Sequence, residues 1–235
     1  MHYGDEWYWG LNRLQYLERR LLALGVNKSA DNTVRFDLGQ RGFCEQMNAS
    51  VITSAREKSS SQNTGQTPLE LYWSIRSPYS YVGIVRGRQL AQHYQVPLVI
   101  KPVLPMLMRG MQVPPTKSNY IARDLKREAD QLGIPFGRVA DPLGAGVERC
   151  YALVELARSQ GKLNEFLESY ARGVWAEGIR SETDRGLKTL VERVGLSWAE
   201  AEPLITNESW REGVQANVDE LFGCLLYTSP SPRDS

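Results

Sequence analysis

Glu70-Leu71-Tyr72-Trp73-Ser74-Ile75-Arg76-Ser77-Pro78-Tyr79-Ser80-Tyr81 is the stretch on which the fold turns. Leu71 to Ile75 is apolar and aromatic enough for a buried strand. The run breaks at Arg76-Ser77-Pro78, and a helical pattern begins. Pro78 suits the first position of a helix, where its missing N–H would have no intrahelical partner. Ser77 before it is a good N-cap. The stretch therefore predicts a strand, a tight turn, and a helix whose first turn carries Ser77-Pro78-Tyr79-Ser80.

That tetrapeptide has the form of Cys-Pro-Tyr-Cys, a thioredoxin-type redox motif, with oxygen at both sulfur positions. In the cysteine version the helix dipole and the first N–H groups stabilise a thiolate. A serine hydroxyl forms no disulfide and ionises far above neutral pH. What survives is an anion-friendly helix start with a hydroxyl donor, a place to hold the thiolate of another molecule. The plain alternative is that Ser77 is only an N-cap.

Further landmarks follow in order: Lys101-Pro102-Val103, then Pro114-Pro115 with Lys117, Tyr120 and Asp124, then Gly133-Ile134-Pro135 and Trp175-Ala176-Glu177-Gly178. With Tyr72 to Tyr81, they make residues 69–223 resemble the DsbA-like thioredoxin superfamily. The likeness is to the 2-hydroxychromene-2-carboxylate isomerases and kappa-class glutathione transferases in particular. It implies a thioredoxin-like α/β fold with a large helical insertion. It also implies glutathione as cofactor, a small-molecule substrate, and Ser77 as the catalytic residue holding the glutathione thiolate. Pro78, Tyr79 and Ser80 would complete the binding turn. Many relatives have Gly-Asn shortly before the Pro-Pro pair, where this chain has Gly110-Met111-Gln112-Val113. Gln112 is then the candidate to supply the side-chain amide.

Downstream of the motif, Val82 to Tyr94 continues the helix, with Val85, Leu90 and the edge of Tyr94 expected to face inward. His93 near its end reads as structural. Val96 to Val103 is apolar and β-branched, a second strand. The two strands should pair parallel through a right-handed crossover. Met106, Met108 and Met111 crowd a Pro-rich loop, which either fills gaps in the core or faces a substrate. Residues 117–132, 146–160, 163–176, 182–194 and 207–222 are each helical in period and are punctuated by glycines. They predict an all-helical block covering the active face. Asp124, Arg127, Arg149 and Glu177 are candidates for its cleft wall, although each fits a solvated helix face at least as well.

Upstream, Asp5 to Gly10 reads as a strand, and Leu14, Leu17, Leu21 and Leu24 as the apolar stripe of a helix ending at Gly25. Either this is an ordinary strand–helix unit, or residues 1–25 are the closing unit of an upstream thioredoxin-like domain in a tandem protein. On the second reading, residues 5–24 could dock on the Leu71–Ile75/Leu98–Val103 sheet as an added strand and helix. Residues 26–68 are linker chemistry, rich in Ser, Asn, Thr and Gln, with one short alternating run at Val34–Leu38. After Gly223 the family's cis-proline loop and last two strands should follow. Instead Cys224 to Ser235 fits no part of that pattern and looks like translated sequencing adaptor, so the sheet is expected to be truncated.

The chain has 235 residues, a net charge of +1 and 42% hydrophobic content. Near-neutral charge argues against nucleic acid or a membrane surface as the main partner. No apolar run approaches the roughly 20 residues that span a bilayer, and Met1 to Leu24 lacks signal-peptide order. The three cysteines, Cys44, Cys150 and Cys224, form neither a metal pattern nor a legible disulfide framework. A reduced, cytoplasmic setting fits, and the resemblance adds an upstream tandem domain or a homodimer as partner. Two functions remain open. One is a glutathione-dependent isomerase or transferase. The other is a DsbA-like relative that has lost catalysis and serves as a binding or structural module.

Overall fold

The computed structural model describes residues 2–3, 6–8, 13–26, 34 and 67–223. Most of the expected linker, with Cys44 and all of its short strand but Val34, lies outside the described residues. So do Trp9 and the tail 224–235 with Cys224. Residues 2–34 belong to one unit and 67–223 to another.

In the first unit, β1 (His2–Tyr3) pairs antiparallel with β2 (Glu6–Trp7), and α1 spans Leu14–Ala23. The strand at Glu6–Trp7 thus finds its partner in His2–Tyr3, with Trp7 opposite His2 and Glu6 opposite Tyr3. The leucine stripe of α1 does not define the buried face. Gln15 and Tyr16 are buried, whereas Leu14, Leu17 and Leu21 are half-buried and Leu24 is 47% exposed. Periodicity tells which residues share a helix face, but neighbours decide which face is covered.

The second unit is built on the predicted βαβ. Strand β3 (Leu69–Trp73) pairs parallel with β4 (Leu98–Pro102), in register from Leu69↔Leu98 to Trp73↔Pro102. Helix α2 (Pro78–Tyr94) makes the crossover. Strand β3 begins and ends two residues earlier than the apolar run suggested. Ser74 and Ile75 have already left the ladder to make the turn, with the Ser77 N–H donating to the Ser74 carbonyl at 3.0 Å.

Helix α2 buries Tyr81, Ile84 and Ala91, while Val85 and Leu90 are half-buried and Tyr94 is 58% exposed. The expected inward face was therefore displaced. The true face runs 81-84-88-91 and contains Arg88, whose charge hides the stripe in the sequence. Its guanidinium is matched by Glu168 and by Glu165 at 3.5 Å, both on a later helix. Gln95 closes α2 in the left-handed region at φ 53°.

After β4 come a 3-10 turn (Met106–Arg109), α3 (Pro115–Leu132), α4 (Ala145–Ala152) and α5 (Val154–Ser159). Helix α6 (Leu163–Arg172) runs into a π-helical turn, Gly173–Glu177. Then follow α7 (Asp184–Glu192), α8 (Trp198–Ala201), a 3-10 turn (Glu202–Leu204) and α9 (Trp210–Gly223). Among the described residues no strand interrupts this block. The helix expected over 146–160 is broken at fully buried Leu153, and 207–222 begins its helix at Trp210.

One core joins the two parts: Trp73, Ile75, Tyr81 and Ile84 pack in the same cluster as Tyr151, Phe166, Tyr170 and Leu187. Burying each large apolar side chain contributes about 1.5–3 kcal/mol, so the helical block supplies most of the cover that two strands lack. Helix α9 closes the other side, with Val218 and Leu221 clustered on Val103 and Tyr72. Asn217 Nδ2 donates to the Pro102 carbonyl at 2.9 Å. Lys101 bridges Glu70 at 2.8 Å and Glu220 at 2.6 Å, tying strand to strand to helix. No helix among the described residues is long and apolar enough to cross a membrane.

Candidate active site

The strand-to-helix turn at residues 74–80 lies at the wall of a cleft of about 550 Å³, within the range of small-molecule sites. Ser77 sits at the N-cap with φ −84° and ψ 115°, and its Oγ accepts from the Ser80 N–H at 3.3 Å. With a lone pair so engaged, the hydroxyl proton of Ser77 is left to donate. Ser80 is turned back toward the strand: its Oγ accepts from the Ser74 N–H at 3.3 Å, and its carbonyl accepts from the Trp73 indole at 3.1 Å. Ser77, Pro78, Tyr79 and Ser80 all line the cleft.

The helical block holds this turn by four side chains. Tyr151 Oη accepts from the Ile75 N–H at 3.4 Å and donates to the Val103 carbonyl at 2.7 Å. Trp175 Nε1 donates to the Ile75 carbonyl at 3.0 Å. Asp141 takes the Arg76 guanidinium in a two-point grip at 2.8 and 3.0 Å. Asp124, only 1% exposed, accepts from Tyr79 Oη at 2.6 Å and from Tyr120 Oη at 3.1 Å. A buried carboxylate is costly without donors, and the two phenols supply them. Burial pushes the phenol of Tyr151 well above its ordinary range, and that of Tyr81 up to about 12. Both stay protonated at any physiological pH, and Tyr151 thus remains a donor to Val103.

The far wall is apolar, formed by Val113, Ile121, Ala122, Phe136 and Val139. Phe136 stacks on Trp175 with ring centroids 6.3 Å apart. Met106 and Arg109 line the floor beside Leu104 and Pro105. Of the methionine cluster, only Met106 reaches the cleft, while Met108 packs against the core. Gln112 is exposed and does not line the cleft, so the amide it was expected to offer is not brought to Ser77. The chain turns at Gly110, in the left-handed region at φ 78°, and Val113 is the residue that faces in.

Of the four charged wall candidates, the structure brings only Asp124 to the motif, and there it is buried and not solvated. Arg149 pairs with Asp184, and Glu177 binds Arg172 at 2.8 Å and Arg193 at 2.5 Å, away from the cleft lining. Arg127 is half-buried and also outside the lining. The anchors Asp141 and Tyr151 were missed because nothing local in sequence marks a contact 65 or 76 residues distant. Tyr120 and Asp124 did carry a signal, since their spacing of four puts them on one helix face.

Cys150 is the one cysteine among the described residues. It is fully buried, and burial pushes its thiol well above the ordinary range. It contributes nothing to the cleft. No group of His, Cys, Asp and Glu that could hold a metal ion is found among the described residues.

Residues 68–221 match the sequence model of the DSBA-like thioredoxin domain. No curated protein matches the chain. Among solved structures, a 2-hydroxychromene-2-carboxylate isomerase is similar with a TM-score of 0.54 at 22% identity, over 66% of this chain and 78% of its own. A protein from Nitrosomonas europaea assigned as a protein disulfide isomerase gives 0.52 at 13% identity, over 67% and 80%. A DsbA-type protein from Streptomyces coelicolor assigned as an oxidoreductase gives 0.51 at 19%, over 66% and 74%. At these identities the likeness is one of fold.

Proposed function

Since the chain belongs to the DSBA-like thioredoxin domain family, we propose that its cleft binds glutathione and works as an isomerase or transferase on a small unsaturated molecule. The observation that carries this reading is Ser77. It caps α2 through its lone pair, lines the cleft, and keeps its proton for a sulfur at the helix start. The donor chemistry fits a thiolate: a hydroxyl donor and the positive end of a 17-residue helix favour negative charge there. Glutathione, when bound, supplies a sulfur nucleophile that adds to the substrate and can leave again.

The protein's part is to hold the charge, orient the partners and exclude water. Ser77 and the first turn of α2 steady the sulfur, and Pro78 adds no competing N–H. The Ile121/Phe136/Val139 wall takes the apolar body of the substrate, whose burial lowers the local dielectric and strengthens the Ser77 bond. Dithiol exchange at the motif is chemically closed, because neither Ser77 nor Ser80 carries sulfur. A reducing compartment such as the cytoplasm would keep glutathione in its thiol form.

Calorimetric titration of the full chain with reduced glutathione tests this. Saturable binding that is weakened several-fold by Ser77→Ala supports the reading. No binding at millimolar glutathione would overturn it in favour of a non-catalytic binding module.

A further inference from the structure

A second cavity, of about 380 Å³, is lined almost wholly by charge and shares no residue with the motif cleft. Its walls come from α2, α6, the π-helical turn and the end of α7. Its ionised side chains cancel in sum but not in place. At one end Arg88 of α2 meets two carboxylates, Glu168 and, at 3.5 Å, Glu165, which leaves a negative charge over. At the other end Glu177 takes Arg172 on one oxygen at 2.8 Å and Arg193 on the other at 2.5 Å, which leaves a positive charge over. The cavity is bipolar.

The surplus groups have bonding capacity to spare. Arg172, with a side chain 56% exposed, engages Glu177 through Nε, so both terminal nitrogens remain to donate. Glu165 is reached by Arg88 only at the limit of a hydrogen bond. Arg193, by contrast, is committed, since it donates to the Ser169 hydroxyl and carbonyl as well as to Glu177.

Helix stability explains part of this layout. Glu165 in the first turn of α6 and Arg172 in its last complement the helix dipole. That account does not cover Arg88, Glu177 and Arg193, which come from three other elements. A tie between helices would need one partner per charge, whereas here a carboxylate and a guanidinium are left over at opposite ends. Residues 165, 168 and 172 share one face of α6. The helical rise sets Arg172 about 6 Å beyond Glu168 and about 10 Å beyond Glu165.

We propose that this cavity binds a small zwitterion with separated charges, a short free peptide, whose ammonium meets Glu165 and Glu168 and whose carboxylate meets Arg172. The open end of the guanidinium suits a carboxylate, and a pair of carboxylates suits an ammonium with its three donors. Ionised ends about 6–10 Å apart span the two ends of the cavity. An α-amino acid, whose charges share one carbon, does not. The site is independent of the thiol-binding reading above.

The test is a calorimetric titration of the full chain at low salt with triglycine, its N-acetylated form, its C-terminal amide, and glycine. Triglycine should bind saturably at about 1–10 mM, as partly exposed ion pairs allow. Either block, or shortening to glycine, should weaken binding by about fivefold or more. Glu165→Gln should weaken triglycine and make acetylation indifferent, and Arg172→Gln should weaken it and make amidation indifferent. Ser77→Ala should leave triglycine binding unchanged. No saturation by about 50 mM, blocked forms that bind as well as triglycine, or a loss in Ser77→Ala equal to that in Arg172→Gln would overturn the proposal. Should a variant fail to fold, the blocked peptides decide on the wild-type chain alone.

Discussion

Trp175 donates its indole N–H to the carbonyl of Ile75 at 3.0 Å, across 100 residues of sequence. The bond is buried, and it ties the π-helical turn after α6 to the residue that leaves β3 for the motif. A backbone carbonyl in the core has no water to fall back on, so the anchor matters more than its single bond implies.

Trp175→Phe keeps most of the ring and the stack on Phe136 but leaves the Ile75 carbonyl without that donor. The expected cost is about 1–3 kcal/mol. Urea denaturation of the full chain should show a lower midpoint with an unchanged slope, and glutathione affinity should fall as well. Stability equal to wild type would mean that Tyr151, Asp141 and Asp124 hold the motif turn without help from Trp175.

The motif should show no dithiol chemistry. In a Cys44→Ala/Cys224→Ala chain, Cys150 should resist a thiol-reactive dye while folded and react once urea unfolds it. Burial both excludes the reagent and keeps the thiol protonated. The same variant should not reduce insulin disulfides. Rapid native labelling, or reductase activity that persists without any cysteine, would contradict the site as described.

Lys101 links acid and alkaline stability through Glu220. Its hydrogen bonds to Glu220 and then Glu70 raise its pKa above the ordinary value, while Lys101 lowers that of Glu220. The Glu220 contribution is therefore present above the unfolded carboxylate value, about 4.3, and is lost as pH falls through the lower folded one. The Lys101 contribution is full below about 10.4 and is lost as pH rises through the higher folded value. Thermal midpoints should show a plateau between these limits. Glu220→Gln should flatten the acid limb, and Lys101→Met should flatten both.

Gln95 holds a left-handed conformation at the end of α2 that glycine adopts without a Cβ penalty. Gln95→Gly should stabilise the chain by about 0.5–1 kcal/mol net of the entropy cost of glycine. Differential scanning calorimetry would register this as a higher thermal midpoint. A lower one would mean that the Gln95 side chain makes a contact worth more than the strain.

Sequence alone determined what depends on neighbours along the chain. Ser77-Pro78 marked the helix start, because capping needs only the next three residues. The βαβ and the helical block were legible because period and glycine punctuation are local properties. The cysteine-free motif closed dithiol exchange without any coordinates. Tertiary structure alone decided which faces are buried and who holds the turn. Arg88 sits in the inward stripe of α2 because glutamates about 80 residues on meet its charge. Asp124, which as a lone carboxylate on a polar helix reads as solvated, is buried because Tyr79 comes to it from another element. Gln112 points away because Gly110 turns the backbone first. Each of these is a balance between desolvation and a partner distant in sequence, and no local pattern records who that partner will be.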